Sequence, residues 1–174
     1  MTAPAPYRTS MSHNEHISAE QFREAMSRLA ASVNILTSDG PAGRVGVTVS
    51  SACSVSDQPP TVLVCLNRGT DVNETIKQNG VFSLNTLIHN HTSISDVFAG
   101  RGDLDMADRF GYGTWTTLET GSPILEQARM ACDCRVSEIA EVGTHSVIFG
   151  EVVAAHFGGK EKALIYLDRN YHAL

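Results

Sequence analysis

The stretch Val45-Gly46-Val47-Thr48-Val49-Ser50-Ser51-Ala52-Cys53-Ser54-Val55-Ser56-Asp57-Gln58-Pro59-Pro60-Thr61-Val62-Leu63-Val64-Cys65-Leu66 holds most of what this chain says about its fold. Val45, Val47 and Val49 alternate with Gly46, Thr48 and Ser50, the two-residue period of a strand with one polar face. A run of small hydroxyl residues follows, and Asp57-Gln58-Pro59-Pro60 interrupts the chain. Val62–Leu66 is wholly apolar and reads as a buried strand. Small hydroxyls and free backbone N–H groups suit a phosphate or a ring carbonyl where no helix N-terminus is at hand. By itself such a stretch is more often an ordinary strand end.

Outward from this segment the pattern stays mostly β. Upstream, Ser18-Ala19-Glu20-Gln21 forms a capping box, and Phe22, Met26 and Leu29 repeat at helical spacing to about Ala30. Ser32–Thr37 reads as a strand ended by the Asp39-Gly40-Pro41 turn. Downstream, Asp71–Asn79 reads as a helix with Asp71 as N-cap and Gly80 just past its end. Val81–Leu87 is strand-like, and Thr92–Ala99 is helical up to Gly100. Residues 100–122 are rich in glycine and read as a surface excursion around Phe110, Tyr112 and Trp115. Met130–Ile139, Ser146–Phe157 and Ala163–Leu167 close the chain as strands.

Six or seven strands with two or three short helices, not regularly alternating, argue against a doubly wound sheet. The fold class expected is mainly β, a β-barrel with flanking helices. Residues 17–174 form the domain, and 1–16 read as a flexible N-terminal segment. Neither a Gly-x-Gly-x-x-Gly nor a Gly-Lys-Ser/Thr loop is present, so a nucleotide needs another kind of site.

Composition narrows the function classes. The 174 residues carry a net charge of -6, which argues against nucleic acid as a partner. No apolar run reaches the ~18–20 residues of a membrane helix, and the first residues lack a secretory h-region. Cys53, Cys65, Cys132 and Cys134 fit no zinc spacing and read as reduced core residues, which places the protein in the cytoplasm. His89-Asn90-His91 lacks a third ligand, so these read as loop histidines, and no metal site is expected.

Taken together, the motifs resemble the flavin reductase family, the small reductase components of two-component flavin monooxygenases such as the 4-hydroxyphenylacetate 3-monooxygenase reductase. The pattern runs in one order: Phe22-Arg23, Val33–Thr37, Gly46-x-Thr48, Cys53–Asp57 with Pro59-Pro60, and Val64–Asn67. It continues through Asn79-Gly80, Phe98-Ala99-Gly100, Arg109-Phe110, Gly143-Thr144-His145 and Leu164-Ile165-Tyr166. Cobyrinic acid diamide reductases and a flavin reductase of pyrimidine catabolism look similar as well.

The resemblance implies a split β-barrel of the FMN-binding type, a homodimer, FMN or FAD as cofactor, and NADH or NADPH as co-substrate. It implies a flavin lined by Thr48, Val49, Ser50, Ser51 and Ser54, with Asn67, Arg68 and Asn85 reaching the phosphate or ring edge. Gly143, Thr144 and His145 would meet the nicotinamide. No side chain is expected to be catalytic in its own right, because hydride transfer is the cofactors' own chemistry. The partner implied is a flavin-dependent monooxygenase that receives reduced flavin. A flavin-dependent corrin reductase and a non-catalytic flavin-binding electron-transfer module are the other readings.

Overall fold

The computed structural model describes residues 16–174, so the N-terminal lead-in lies outside the described residues apart from His16. The chain enters through α1 (Ala19–Ser27), then β1 (Ala31–Ser32), β2 (Asn34–Ser38), β3 (Val45–Val49), β4 (Ala52–Asp57) and β5 (Pro60–Asn67). Next come α2 (Asp71–Asn79), β6 (Val81–Thr86), α3 (Thr92–Phe98) and α4 (Met106–Arg109). The remainder is β7 (Trp115–Thr117), β8 (Pro123–Leu125), β9 (Met130–Val142), β10 (His145–Phe157), β11 (Leu164–Leu167) and β12 (Asn170–Ala173).

Seven strands form one antiparallel sheet in the order β3-β2-β6-β9-β10-β5-β4. Its two edge strands, β3 and β4, are sequence neighbours joined only by Ser50 and Ser51. Three peptide steps reach about 11 Å at most, so the opposite edges of the sheet must come together. The sheet is therefore rolled into a barrel whose split lies between β3 and β4. Packing agrees: Val45 and Val49 of one edge share a buried cluster with Val62, Val64 and Leu66 of β5, around Leu36, Phe82, Leu84, Cys134 and Ile148.

Strand alternation feeds two cores at once. Leu36 points into the barrel, while its neighbour Ile35 packs outside with Leu87, Ile94, Phe98, Leu125 and Leu164. The second core sits under α3 and under a small sheet of order β1-β11-β12. Residues 100–122 are more than a surface excursion. Phe110 and Trp115 meet Phe98 edge to face, with centroids 5.1 and 5.6 Å away, and help seal this outer core.

Two hairpin turns are built from left-handed backbone. Gly143-Thr144 links β9 to β10, with Gly143 at φ 56° in the position where that turn needs a positive φ. Asp168-Arg169 links β11 to β12, and both residues hold a positive φ, 49° and 60°, without any glycine. Left-handed backbone disfavours an ordinary side chain by roughly 1–2 kcal/mol per residue.

Several sequence expectations shift here. The first helix ends at Ser27, before Ala30. The hydroxyl-rich run 52–57 is itself a strand, and Pro60 opens the next one. α2 covers the expected residues, but Thr70 is its N-cap, with Asp71 already inside, and Gly80 closes it at φ 68°. β12 was not foreseen.

Candidate functional site

The barrel split gathers the hydroxyl-rich segment into two adjoining grooves. The smaller, about 160 Å³, is lined by Val33, Thr48, Val49, Ser50, Ala99, Arg101, Tyr166 and Tyr171. The larger, about 540 Å³, lies between α1 and the β11–β12 hairpin and also reaches Ser50, Ser51 and Tyr166. Ser50 and Tyr166 thus form the wall common to both. A volume of 540 Å³ falls in the usual range for small-ligand sites.

Each groove residue has a distinct capacity. The Thr48 hydroxyl donates to the Ser95 carbonyl at 2.6 Å, so toward a ligand it can only accept. Val49 is buried and closes the barrel beneath the groove. Among the described residues the Ser50 and Ser51 N–H groups have no hydrogen-bond partner, and both side chains are exposed. Because β3 and β4 part there, the ladder offers these donors nothing, and a ligand carbonyl or phosphate can take them. The Tyr171 hydroxyl is tied to Ser95 Oγ at 2.8 Å and Asp96 Oδ1 at 3.1 Å, which fixes the far wall.

A second corner sits farther along the barrel rim. The Ser51 carbonyl accepts from Cys65 N–H at 2.9 Å, and Asn67, two residues beyond Cys65, pairs with His145 on the next strand. Strand spacings put Ser51 and Asn67 about 8 Å apart. Asn67, Arg68, Gly143, Thr144 and His145 form one unit. Arg68 N–H donates to the Thr144 carbonyl at 2.9 Å, and Thr144 Oγ1 lies 2.9 Å from His145 Nδ1. Arg68 also pairs with Glu141 at 3.1 Å. Hydrogen bonds from Lys77 first, then Ser146, hold the Glu141 carboxyl below its ordinary range, with Arg68 adding a smaller charge effect.

The remaining two expected contacts are placed differently. Ser54 lies down the exposed β4 edge opposite Val62, on the side of Ser51 away from Asn67, and lines neither groove. Asn85 is fully buried and does not reach the cleft. Its amide donates to the Ile35 carbonyl at 3.1 Å, and its Oδ1 accepts from Leu125 N–H at 2.8 Å. It fastens β8 against the sheet from outside, a position that follows from the strand's alternation. His91, read as a loop residue, is also buried, only 4% exposed.

Sequence reasoning did not place Tyr166, Tyr171 or Arg101 at the site, nor the helical stripe Phe22, Met26 and Leu29 that walls the larger groove. Tyr166 stood inside a quoted motif, but its strand pattern alone gave no reason to place it across from Ser50.

The family model described as "Flavin reductase like domain" matches residues 26–174. The chain belongs to the flavin reductase-like family. Within that family it is 49% identical over 158 residues to the "FMN reductase (NADH) RutF" of Ancylobacter novellus, covering 91% of this chain and 86% of the relative. The protein of the same description from Variovorax paradoxus is 48% identical, over 88% and 84% of the two chains. A solved chain from Haemophilus somnus, 40% identical, superposes with a TM-score of 0.87 over 91% of this chain and 100% of its own. The styrene monooxygenase flavin reductase of Pseudomonas putida superposes at 0.78 with 27% identity, over 88% and 97%. The flavin reductase-like barrel expected from the sequence is the one observed.

Proposed function

We propose that this chain passes hydride from NADH to FMN bound at the barrel split and releases the reduced flavin to a flavin-dependent monooxygenase. The observation that carries the reading is the Ser50–Ser51 junction, where unpartnered N–H groups, a tyrosine wall and an open groove coincide. The choice of FMN and NADH over FAD and NADPH rests on the names of the 48–49% identical relatives. The monooxygenase partner is supported by the styrene monooxygenase reductase among the structural neighbours.

When bound, the flavin supplies the hydride acceptor. The chain's own residues have four tasks. Ser50 and Ser51 N–H groups donate to the carbonyl edge of the ring and favour charge that gathers there. Thr48 accepts from a ring N–H. Arg68, with Asn67 beside it, faces the phosphate, and His145 hydrogen-bonds to the nicotinamide end of the donor. The chain's part would be to hold the two rings together, so no acid–base pair is required.

A homodimer in the cytoplasm completes the proposal. Phe22, Met26 and Leu29 are 54%, 46% and 64% exposed, and β4 is an exposed edge strand, features that a partner surface commonly covers. No helix is long and apolar enough among the described residues to cross a membrane. Oxidation rates of NADH and NADPH with FMN, FAD and riboflavin in turn test the reading. NADH with FMN is expected to be fastest. Nicotinamide oxidation that ignores added flavin, or flavin binding without turnover, would overturn it.

A further inference from the structure

Arg68 has a place in the proposed chemistry, but the carboxylate that holds it has none. Glu141, near the end of β9, meets two cations at once. Its Oε2 lies 3.1 Å from Arg68 Nε, and its Oε1 lies 2.7 Å from Lys77 Nζ in the last turn of α2. Behind it runs a buried chain of polar groups. Ser146 Oγ donates to Glu141 Oε2 at 2.8 Å and accepts from Asn73 Nδ2 at 3.1 Å. Asn73 Nδ2 also reaches the Leu66 carbonyl at 3.3 Å. Ser146 and Asn73 are both buried, whereas half of the Arg68 side chain is exposed. An exposed ion pair contributes little to stability by itself. Buried polar groups that aim its carboxylate therefore point to a purpose at the surface.

We infer that Glu141 is a positioning residue for the flavin phosphate, holding Arg68 in the orientation that receives it. The inference rests on the flavin reductase reading and on Arg68 facing the phosphate in it. Glu141 lies against Arg68 Nε, the Gly143 carbonyl accepts from Nη1 at 3.4 Å, and Nη2 has no hydrogen-bond partner among the described residues. The guanidinium is thus tied on one side and open on the other. Lys77 matches the charge of Glu141, so the pair repels a phosphate little and the charge of Arg68 is left for the ligand. A loose arginine loses rotamer freedom when it clamps a phosphate, and one already held loses less. The phosphate monoester of FMN carries about -1.5 to -2 charges near pH 7, which a guanidinium fork suits.

The test compares FMN with riboflavin, which has the same ring and no phosphate, by fluorescence titration. The wild type is expected to bind FMN more tightly than riboflavin. Glu141→Ala should weaken FMN about 2- to 12-fold, the effect of leaving one long side chain to be ordered by the ligand. Riboflavin affinity of the same variant should stay within about 2-fold of the wild type, which also shows that the site is folded. Glu141→Asp keeps the charge and should recover part of the loss. In an Arg68→Ala background, Glu141→Ala should change FMN affinity little, because Glu141 acts through Arg68.

Several results would overturn the inference. If Glu141→Ala tightens FMN, the carboxylate opposes the phosphate by its charge and does not position Arg68. If FMN and riboflavin weaken equally, Glu141 supports the fold or the ring site. If the loss persists without Arg68, the residue acts by another route. A wild type that binds both flavins equally would take the phosphate away from Arg68, and the inference with it. Failure of the flavin reductase reading looks different, because the wild type would then bind neither flavin.

Discussion

At the scale of single residues, the two histidines of interest differ in what surrounds them. His145 opens β10 at an exposed hairpin and is held by Thr144 alone. If it orients the nicotinamide, His145→Ala should cost about 0.5–1.5 kcal/mol, or up to about 3 if charge is involved, hence roughly 2- to 150-fold in kcat/KM for NADH. FMN affinity, followed by fluorescence titration, should barely change. His91 is the opposite case, buried with neither ring nitrogen partnered among the described residues. Burial first, then the nearby His89, lowers its pKa below the ordinary 6.5. The unfolded chain therefore binds a proton more readily than the folded one. Stability from this site is intact above pH 6.5 and is lost as pH falls below that value, levelling off beneath the folded pKa. Denaturant midpoints of His91→Leu should depend less on pH between about 7.5 and 5.5 than those of the wild type, since the ionisable ring is gone. An unchanged pH dependence would show that another group governs it.

At the scale of elements, what the sequence revealed depended on whether the signal was local. α2 was legible because an acidic first turn and Gly80 lie within one short segment, although its N-cap is Thr70 and not Asp71. The hairpin to β12 was not, because Asp168-Arg169 turns with two positive φ values and no glycine or proline to mark it. α1 was legible as an amphipathic helix, but periodicity cannot say whose surface its apolar stripe meets. Asn85 was misplaced for a related reason. A polar residue in a strand looks like a ligand contact until the sheet is seen to be covered on both faces. Thr48–Ser51 were legible as a candidate segment because Thr48 and Val49 end one edge of the barrel and Ser50 and Ser51 link it to the other. The long strands also define a packing test. A Cβ on Gly150 would press into the edge of the Phe82 ring and lie 2.9 Å from Cys134 Cβ, in the middle of the barrel core. Gly150→Ala should therefore lower stability by about 1–3 kcal/mol, read from chemical denaturation. A neutral result would mean that β9 and β10 shift freely at their bulge beside Phe149 and Gly150.

At the scale of the whole molecule, the barrel is closed everywhere except where chemistry is proposed. Opposite sheet edges meet through two serines, and the split leaves backbone donors that no strand satisfies. The same region carries the exposed stripe of α1 and the open edge of β4, so association and substrate binding are expected on neighbouring surfaces. Light scattering at micromolar concentration should report twice the 18.7 kDa of one chain, and a monomer mass would remove the dimer from the account. The central claim is that this split brings a flavin and a reduced nicotinamide together. It is tested most directly by mixing the protein with FMN and NADH under anaerobic conditions and following the flavin's visible absorbance. The account predicts that the yellow band bleaches with one NADH consumed per flavin, far faster than without protein. FMN that stays oxidised in the presence of protein and excess NADH would contradict it.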